Sequence, residues 1–168
     1  MNKFIDFLVL LLLGFLIGFN VSFTFIIAPL LFSHFDHRTA GEITNVIFPY
    51  YFASGWIIGI LIYTLIGIKS IKDKQLIKNY KGFVIGLLLL VITHMALHKT
   101  VLPVARNINL QYYVLLDEGK KEEALKLKEK FKKIHGVSSF INLFNLGLEI
   151  YLFQYYLLRE RRLKKQSD

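Results

Sequence analysis

The chain has 168 residues, 54% of them hydrophobic, with a mean hydropathy of +0.46 and a formal net charge of +9. It contains no cysteine, which excludes disulfides, thiolate nucleophiles and thiolate-held metals. Its lysines flank apolar blocks and do not interleave with stacking aromatics, so the basic charge points to anionic lipid headgroups and speaks against a nucleic-acid partner.

The opening run MNKFIDFLVLLLLGFLIGFNVSFTFIIAPLLF has an apolar part that runs past Asn20 to Phe32, longer than that of a signal peptide and without a small-x-small cleavage site, so it reads as a retained anchor. A helix crosses the hydrocarbon with about 20 residues, and the first predicted span covers about 7–31. Asn20, Ser22 and Thr24 interrupt it. A short connection with His34, His37, Arg38 and Glu42 leads to a second span at about 43–68. The segment from Lys69 to Lys81 then holds five lysines against one aspartate.

The third span, about 82–102, carries His94, His98 and Lys99 near its far end. The connection after it contains an amphipathic stretch at about 118–134, where Ala124, Leu127, Phe131 and Ile134 recur at helical spacing. Glu122 with Lys126 and Glu129 with Lys133 form favourable four-apart pairs there. The fourth span, about 137–158, includes Asn142, Asn145, Glu149 and Gln154, and that polar stripe should turn toward the other helices. The tail RERRLKKQSD adds five basic residues.

The resulting expectation is an all-α membrane protein forming one domain over residues 1–168. It is a four-transmembrane-helix bundle with an additional amphipathic helix between the third and fourth spans, lying on the membrane surface or capping the bundle. The lysine-rich second connection and basic tail place both termini in the cytoplasm of a bacterial inner membrane. Pro29, Pro49 and Pro103 stand near span boundaries and read most simply as terminators. Three GxxxG pairs, Gly14 with Gly18, Gly55 with Gly59 and Gly82 with Gly86, permit close helix contact. No internal repeat stands out, and no dinucleotide fingerprint, P-loop, nucleophile elbow or HExxH occurs.

Among polar residues, Glu149 is the sharpest, because a carboxylate in hydrocarbon needs a partner, water or a proton. His94 is its natural partner, since residue counting puts the two at about 18 and 14 Å below the same boundary. His94 and His98 lie four apart on one helix face, where a divalent metal or an axial haem ligand could be held. At the other end of the bundle, Arg38, Arg106, His135 and Asn142 come from distant segments and could line a site for a polar or anionic group.

The strings APLLFSHFDHRTAGEITNVIFPYYF, VLPVARN and FKKIHGVSSFINLFNL resemble a small membrane family of unknown function that includes bacterial relatives of human transmembrane protein 205, grouped with the membrane domain of copper-resistance protein CopD. The matching positions are Pro29, Phe32, Arg38, Gly41, Phe48, Pro49, Tyr51, Pro103, Arg106, His135, Gly136 and Asn142. The resemblance implies a four-span domain with these residues on one membrane face and no established catalytic activity.

Three functional readings follow. The favoured one is a non-enzymatic protein that contacts membrane lipids and binds or helps translocate a small ligand or metal ion, with Arg38, Arg106, His135 and Asn142 as its binding end. The second is a haem-dependent membrane redox protein using His94 or His98. The third is a homo-oligomer or an assembly partner of another membrane protein, using the amphipathic segment and basic tail.

Overall fold

The structure is a computed structural model that describes residues 2–72 and 75–167, with backbone only for Asn2, Lys72 and 161–167. Asp73, Lys74 and most side chains of the basic tail, on which part of the orientation argument rests, lie outside the described residues.

The first helical unit comprises α1 (Asn2–Ser22), a wide π turn (Phe23–Ile27) and α2 (Ala28–His34). It is followed by the long helix α3 (His37–Lys72). After the short α4 (Leu76–Asn79), the third unit comprises α5 (Lys81–Ala96), a second π turn (Leu97–Val101) and α6 (Leu102–Asp117). The chain ends on α7 (Lys121–Ser167), 47 residues without a break. Four helices are long and apolar enough to cross a membrane, Lys3–His34, His37–Ile71, Lys81–Asp117 and Lys121–Glu160, and the chain is an integral membrane protein.

Each span buries one face at a spacing of three to four residues. In α1 that face is Ile5, Val9, Leu13, Leu16 and Asn20, while Phe7, Leu11 and Phe15 face outward as lipid requires. In α7 it is Asn145, Glu149, Leu152, Tyr156 and Glu160. Asn20, Asn142, Asn145 and Glu149 thus turn inward, whereas Gln154, expected on the same stripe, is exposed, because five residues past Glu149 it points away from the buried face of α7. Ile5, Leu13, Ile62, Phe83, Leu87 and Tyr156 belong to one apolar cluster, and Phe23, Tyr51, Phe52 and Leu97 to a second one further from the termini.

Close approach is concentrated at α3 and α5. A Cβ on Gly55 would lie 1.9 Å from His94 Cδ2, and one on Gly59 2.5 Å from Val91 Cγ2. A Cβ on Gly86 would lie 2.9 Å from Leu152 Cδ2, whereas one on Gly14 would come no nearer than 3.9 Å to another side chain and one on Gly18 would meet none within 4 Å. The GxxxG spacing marks tight packing at α3 and not at α1.

Two sequence expectations are corrected. The prolines do not end the spans. A proline lacks the N–H for the preceding turn and its ring crowds the carbonyl four residues back. Two residues before Pro29 and Pro103, π turns widen the helix, with Ala28 N–H donating to Phe23 O and Leu102 N–H to Leu97 O. Each helix continues past its proline, and Pro49 lies inside α3.

Nor does a separate amphipathic helix lie between the third and fourth spans; the short helix of the chain, α4, sits between the second and third. Residues 118–134 form a turn and the first part of α7. Gly119 has φ 77° and closes α6, with its N–H donating to Leu116 O at 3.0 Å and Lys120 N–H to Leu115 O at 2.9 Å. After it no proline occurs, and Gly136 is helical, so nothing stops α7. Fully buried Ala124 and half-buried Leu127, Phe131 and Ile134 do form one face, and α6 is the helix that packs most extensively on α7.

Candidate functional site

The first wide turn carries Asn20 three residues before it and Thr24 within it; the second carries His94 and His98 at the same two places. Asn20, Thr24 and His94 come to one level, where α7 supplies Asn142, Asn145 and Glu149, while His98 turns to Trp56. The result is a hydrogen-bonded chain through the middle of the bundle, shielded by the two apolar clusters.

Its direction can be read from donors and acceptors. The Thr93 hydroxyl donates to Asn145 Oδ1 at 2.6 Å, and the Asn145 amide donates to His94 Nδ1 at 3.0 Å. That leaves the imidazole proton on Nε2, which faces Glu149 Oε1 at 3.3 Å. From the other side, the Tyr51 hydroxyl donates to Asn142 Oδ1 at 2.9 Å. The Asn142 amide donates to Thr24 Oγ1 at 2.9 Å and to Asn20 Oδ1 at 3.4 Å, and the Asn20 amide donates to Glu149 Oε2 at 3.4 Å. Two donor chains therefore converge on one carboxylate.

Glu149 is 1% exposed, and among the described residues the one basic side chain within 4 Å of its carboxylate is the neutral imidazole of His94. Beside it lies a cavity of about 10 Å³ lined by Leu16, Phe19, Asn20, Tyr51, Ser54, Gly55, His94 and Glu149, enough for one water-sized body.

A second buried polar cluster marks the end where α1 begins and α7 ends. Lys69 Nζ lies 2.6 Å from Asp6 Oδ1 and 2.5 Å from Glu160 Oε1. The Tyr156 hydroxyl donates to Asp6 at 2.8 Å, and the Tyr80 hydroxyl donates to Glu160. Lys69 also stands 5.4 and 5.5 Å over the Tyr80 and Tyr156 rings. Burial, followed by the bond to Glu160, pushes the Tyr80 phenol above its usual range, which keeps it a donor. One lysine so joins α1, α3 and α7 through two carboxylates.

At the opposite end, a groove of about 400 Å³ is lined by Pro49, His98, Lys99, Leu102, Pro103, Arg106, Asn107 and Leu110. His98 Nδ1 accepts from Trp56 Nε1 at 3.0 Å.

The predicted binding end is dispersed. Arg38 is engaged in two parallel bonds to Asp117, both 3.0 Å, and lies 5.1 Å over the Tyr113 ring. Arg106 lines the groove, exposed His135 stacks on Phe131 at 5.9 Å, and Asn142 belongs to the internal chain. Among the described residues no hydrogen bond or ion pair joins any two of the four.

His94 and His98 do not form a chelating pair as arranged. Both nitrogens of His94 face hydrogen-bond partners, one nitrogen of His98 is committed to Trp56, and no group of three histidines and carboxylates suited to a metal occurs among the described residues. Sequence reasoning missed the Asp6, Lys69 and Glu160 cluster, whose members look like ordinary span-flanking charges. The usable signal was a lysine and two carboxylates at the same ends of three spans.

A domain of unknown function, DUF4149, matches residues 11–113. An uncharacterised protein of Aquifex aeolicus is 30% identical over 137 residues, covering 81% of this chain and 84% of that protein. No solved structure matches. Neither match bears the name of transmembrane protein 205 or CopD, so that narrower resemblance draws no support from them.

Proposed function

We propose that this chain, which belongs to the DUF4149 family, binds a small cation, the proton included, at Glu149 inside the bilayer and helps it cross. The observation that carries the reading is the carboxylate itself, 1% exposed, with a neutral imidazole and an amide as its hydrogen-bond partners and a one-molecule cavity beside it. A carboxylate in hydrocarbon is retained where something positive visits it, since an apolar residue would pack there at lower cost. Asn142 and Tyr51 extend the polar path toward the end that bears Arg106.

We place both termini in the cytoplasm of a bacterial inner membrane, which the lysine-rich connection from Lys69 to Lys81 supports. Reporter fusions at each terminus test that orientation.

The test of function compares wild type with Glu149→Gln, an isostere that removes the charge. Thermal stability of the detergent-purified proteins is followed while protons, lithium, sodium or potassium replace choline at constant ionic strength. Wild type should respond to at least one cation and the variant should not. Identical responses of the two proteins across the whole series would remove Glu149 as the binding group.

A further inference from the structure

The groove beside Pro49 and Arg106 stands on observations separate from Glu149, and the failure of either reading leaves the other intact. Its depth follows from helix geometry. Lys69, in the buried charged cluster, lies twenty residues after Pro49 in α3, a rise of about 30 Å, which is the thickness of a hydrocarbon core. With the Lys69 cluster at one boundary, the groove lies at headgroup level on the other.

Its chemistry is one-sided. Lys99 and Arg106 are two helical turns apart on one face, and no carboxylate lines the groove. Among the described residues neither cation makes an ion pair, whereas Arg38 is satisfied by Asp117. Because His98 Nδ1 accepts the Trp56 N–H, the His98 proton sits on Nε2, so the histidine brings a donor as well. Pro49, Leu102, Pro103 and Leu110 supply an apolar lining next to these groups. A ligand that fits has an anionic oxygen cluster joined to an apolar body and is present at the bilayer boundary.

We infer that this groove binds the phosphate of an anionic phospholipid, with Lys99 and Arg106 on the phosphate and the glycerol and upper acyl carbons against Leu102, Pro103 and Leu110. Free inorganic phosphate would leave the apolar lining unused, so the lipid is the better match for the whole surface.

The test titrates phosphatidylglycerol or phosphatidylcholine into the detergent-purified protein. Lipid retention is read by native mass spectrometry, together with the fluorescence of Trp56, the single tryptophan. Phosphatidylglycerol should bind more tightly than phosphatidylcholine. Lys99→Gln and Arg106→Gln should each weaken it about fivefold, and the double variant more than tenfold. Lys128→Gln with Lys132→Gln removes the same charge from exposed positions elsewhere and should leave binding unchanged.

Equal binding of the two lipids, equal loss in the control, or displacement of phosphatidylglycerol by equimolar inorganic phosphate would each overturn the proposal. Should the glutamine variants fold poorly, the salt dependence of the wild-type titration decides. Binding that weakens with sodium chloride for phosphatidylglycerol alone supports the site, and salt-independent binding overturns it.

Discussion

Replacing Gly55 by alanine sets a methyl carbon 1.9 Å from His94 Cδ2 and 2.3 Å from its Nε2, far inside van der Waals contact. The imidazole has nowhere convenient to go, since Asn145 holds Nδ1 at 3.0 Å, Nε2 faces Glu149 at 3.3 Å and the residue is 3% exposed. One relief is for α3 to move away from α5, loosening the Gly59 contact with Val91 and costing about 1–3 kcal/mol, as overpacked cores do. The other is for the ring to swing out of its bonds, leaving buried polar groups unpaired at about 1–3 kcal/mol each. Either way the loss should be about 1–3 kcal/mol or more.

The assay is equilibrium unfolding in a mixed-detergent series followed by far-ultraviolet circular dichroism, with Gly67→Ala as control because its added carbon would meet no atom within 4 Å beyond its own stretch of helix. A double-mutant cycle with His94→Ala isolates the clash. Once the ring is gone the Gly55→Ala penalty should shrink, giving a coupling of about 2 kcal/mol. An unchanged unfolding midpoint for Gly55→Ala, or strictly additive losses, would refute the packing of His94 against Gly55.

Lys69→Met leaves Asp6 and Glu160 buried without their cation and should destabilise by about 3–5 kcal/mol in the same unfolding assay, with much of the loss restored by adding Asp6→Asn and Glu160→Gln. Gly119→Ala forces a side chain into the left-handed region at φ 77° and should cost about 1–2 kcal/mol, detected as faster proteolysis between α6 and α7. Asp36 accepts the Thr39 hydroxyl at 2.7 Å and the Thr39 and Arg38 amides at 3.1 and 3.0 Å. These bonds, the hydroxyl first, hold its carboxyl below the usual range. A lowered folded value means that the cap contributes fully above the ordinary aspartate value of 3.8 and is lost as pH falls through the folded one. Hydrogen exchange at the Arg38 and Thr39 amides should therefore accelerate at acid pH relative to the intrinsic rate, and Asp36→Ala should abolish that added pH dependence.

The four spans were legible because lipid as solvent forces long apolar blocks, and each block stands between charged connections. The inward turn of Asn142, Asn145 and Glu149 followed from the same cost argument, while Gln154, counted with them, stands exposed. Residue counting set His94 and Glu149 at compatible depths, and the two side chains lie 3.3 Å apart. What the sequence hid were features in which one residue type has two meanings. Lys69 counts equally as a topological charge and as the centre of a buried cluster. Pro29 and Pro103 stop a helix unless the preceding turn widens, which local spacing does not announce. The acid-base alternation after Gly119 resembles a surface helix, yet without a proline or a left-handed glycine beyond it the backbone simply continues into the fourth span.

The likeness between the two wide turns was also hidden, because Asn20 and Thr24 share no residue type with His94 and His98. Only the common proline two residues beyond each turn links them. The candidate groove escaped for a related reason. Lys99 and Arg106 were read as members of a span and of a distant end, and the continuous helix through Pro103 is what sets them on one face.

The unbroken course of α7 has a mechanical consequence. Its 47 residues make a rod about 70 Å long, more than twice the thickness of a hydrocarbon core. The extramembrane hairpin at Gly119, the carboxylate of Glu149 and the lysine clasp at Glu160 are all mounted on this one shaft. One continuous helix therefore links the hairpin to both buried polar centres, with no break between them that could let one shift independently of the other.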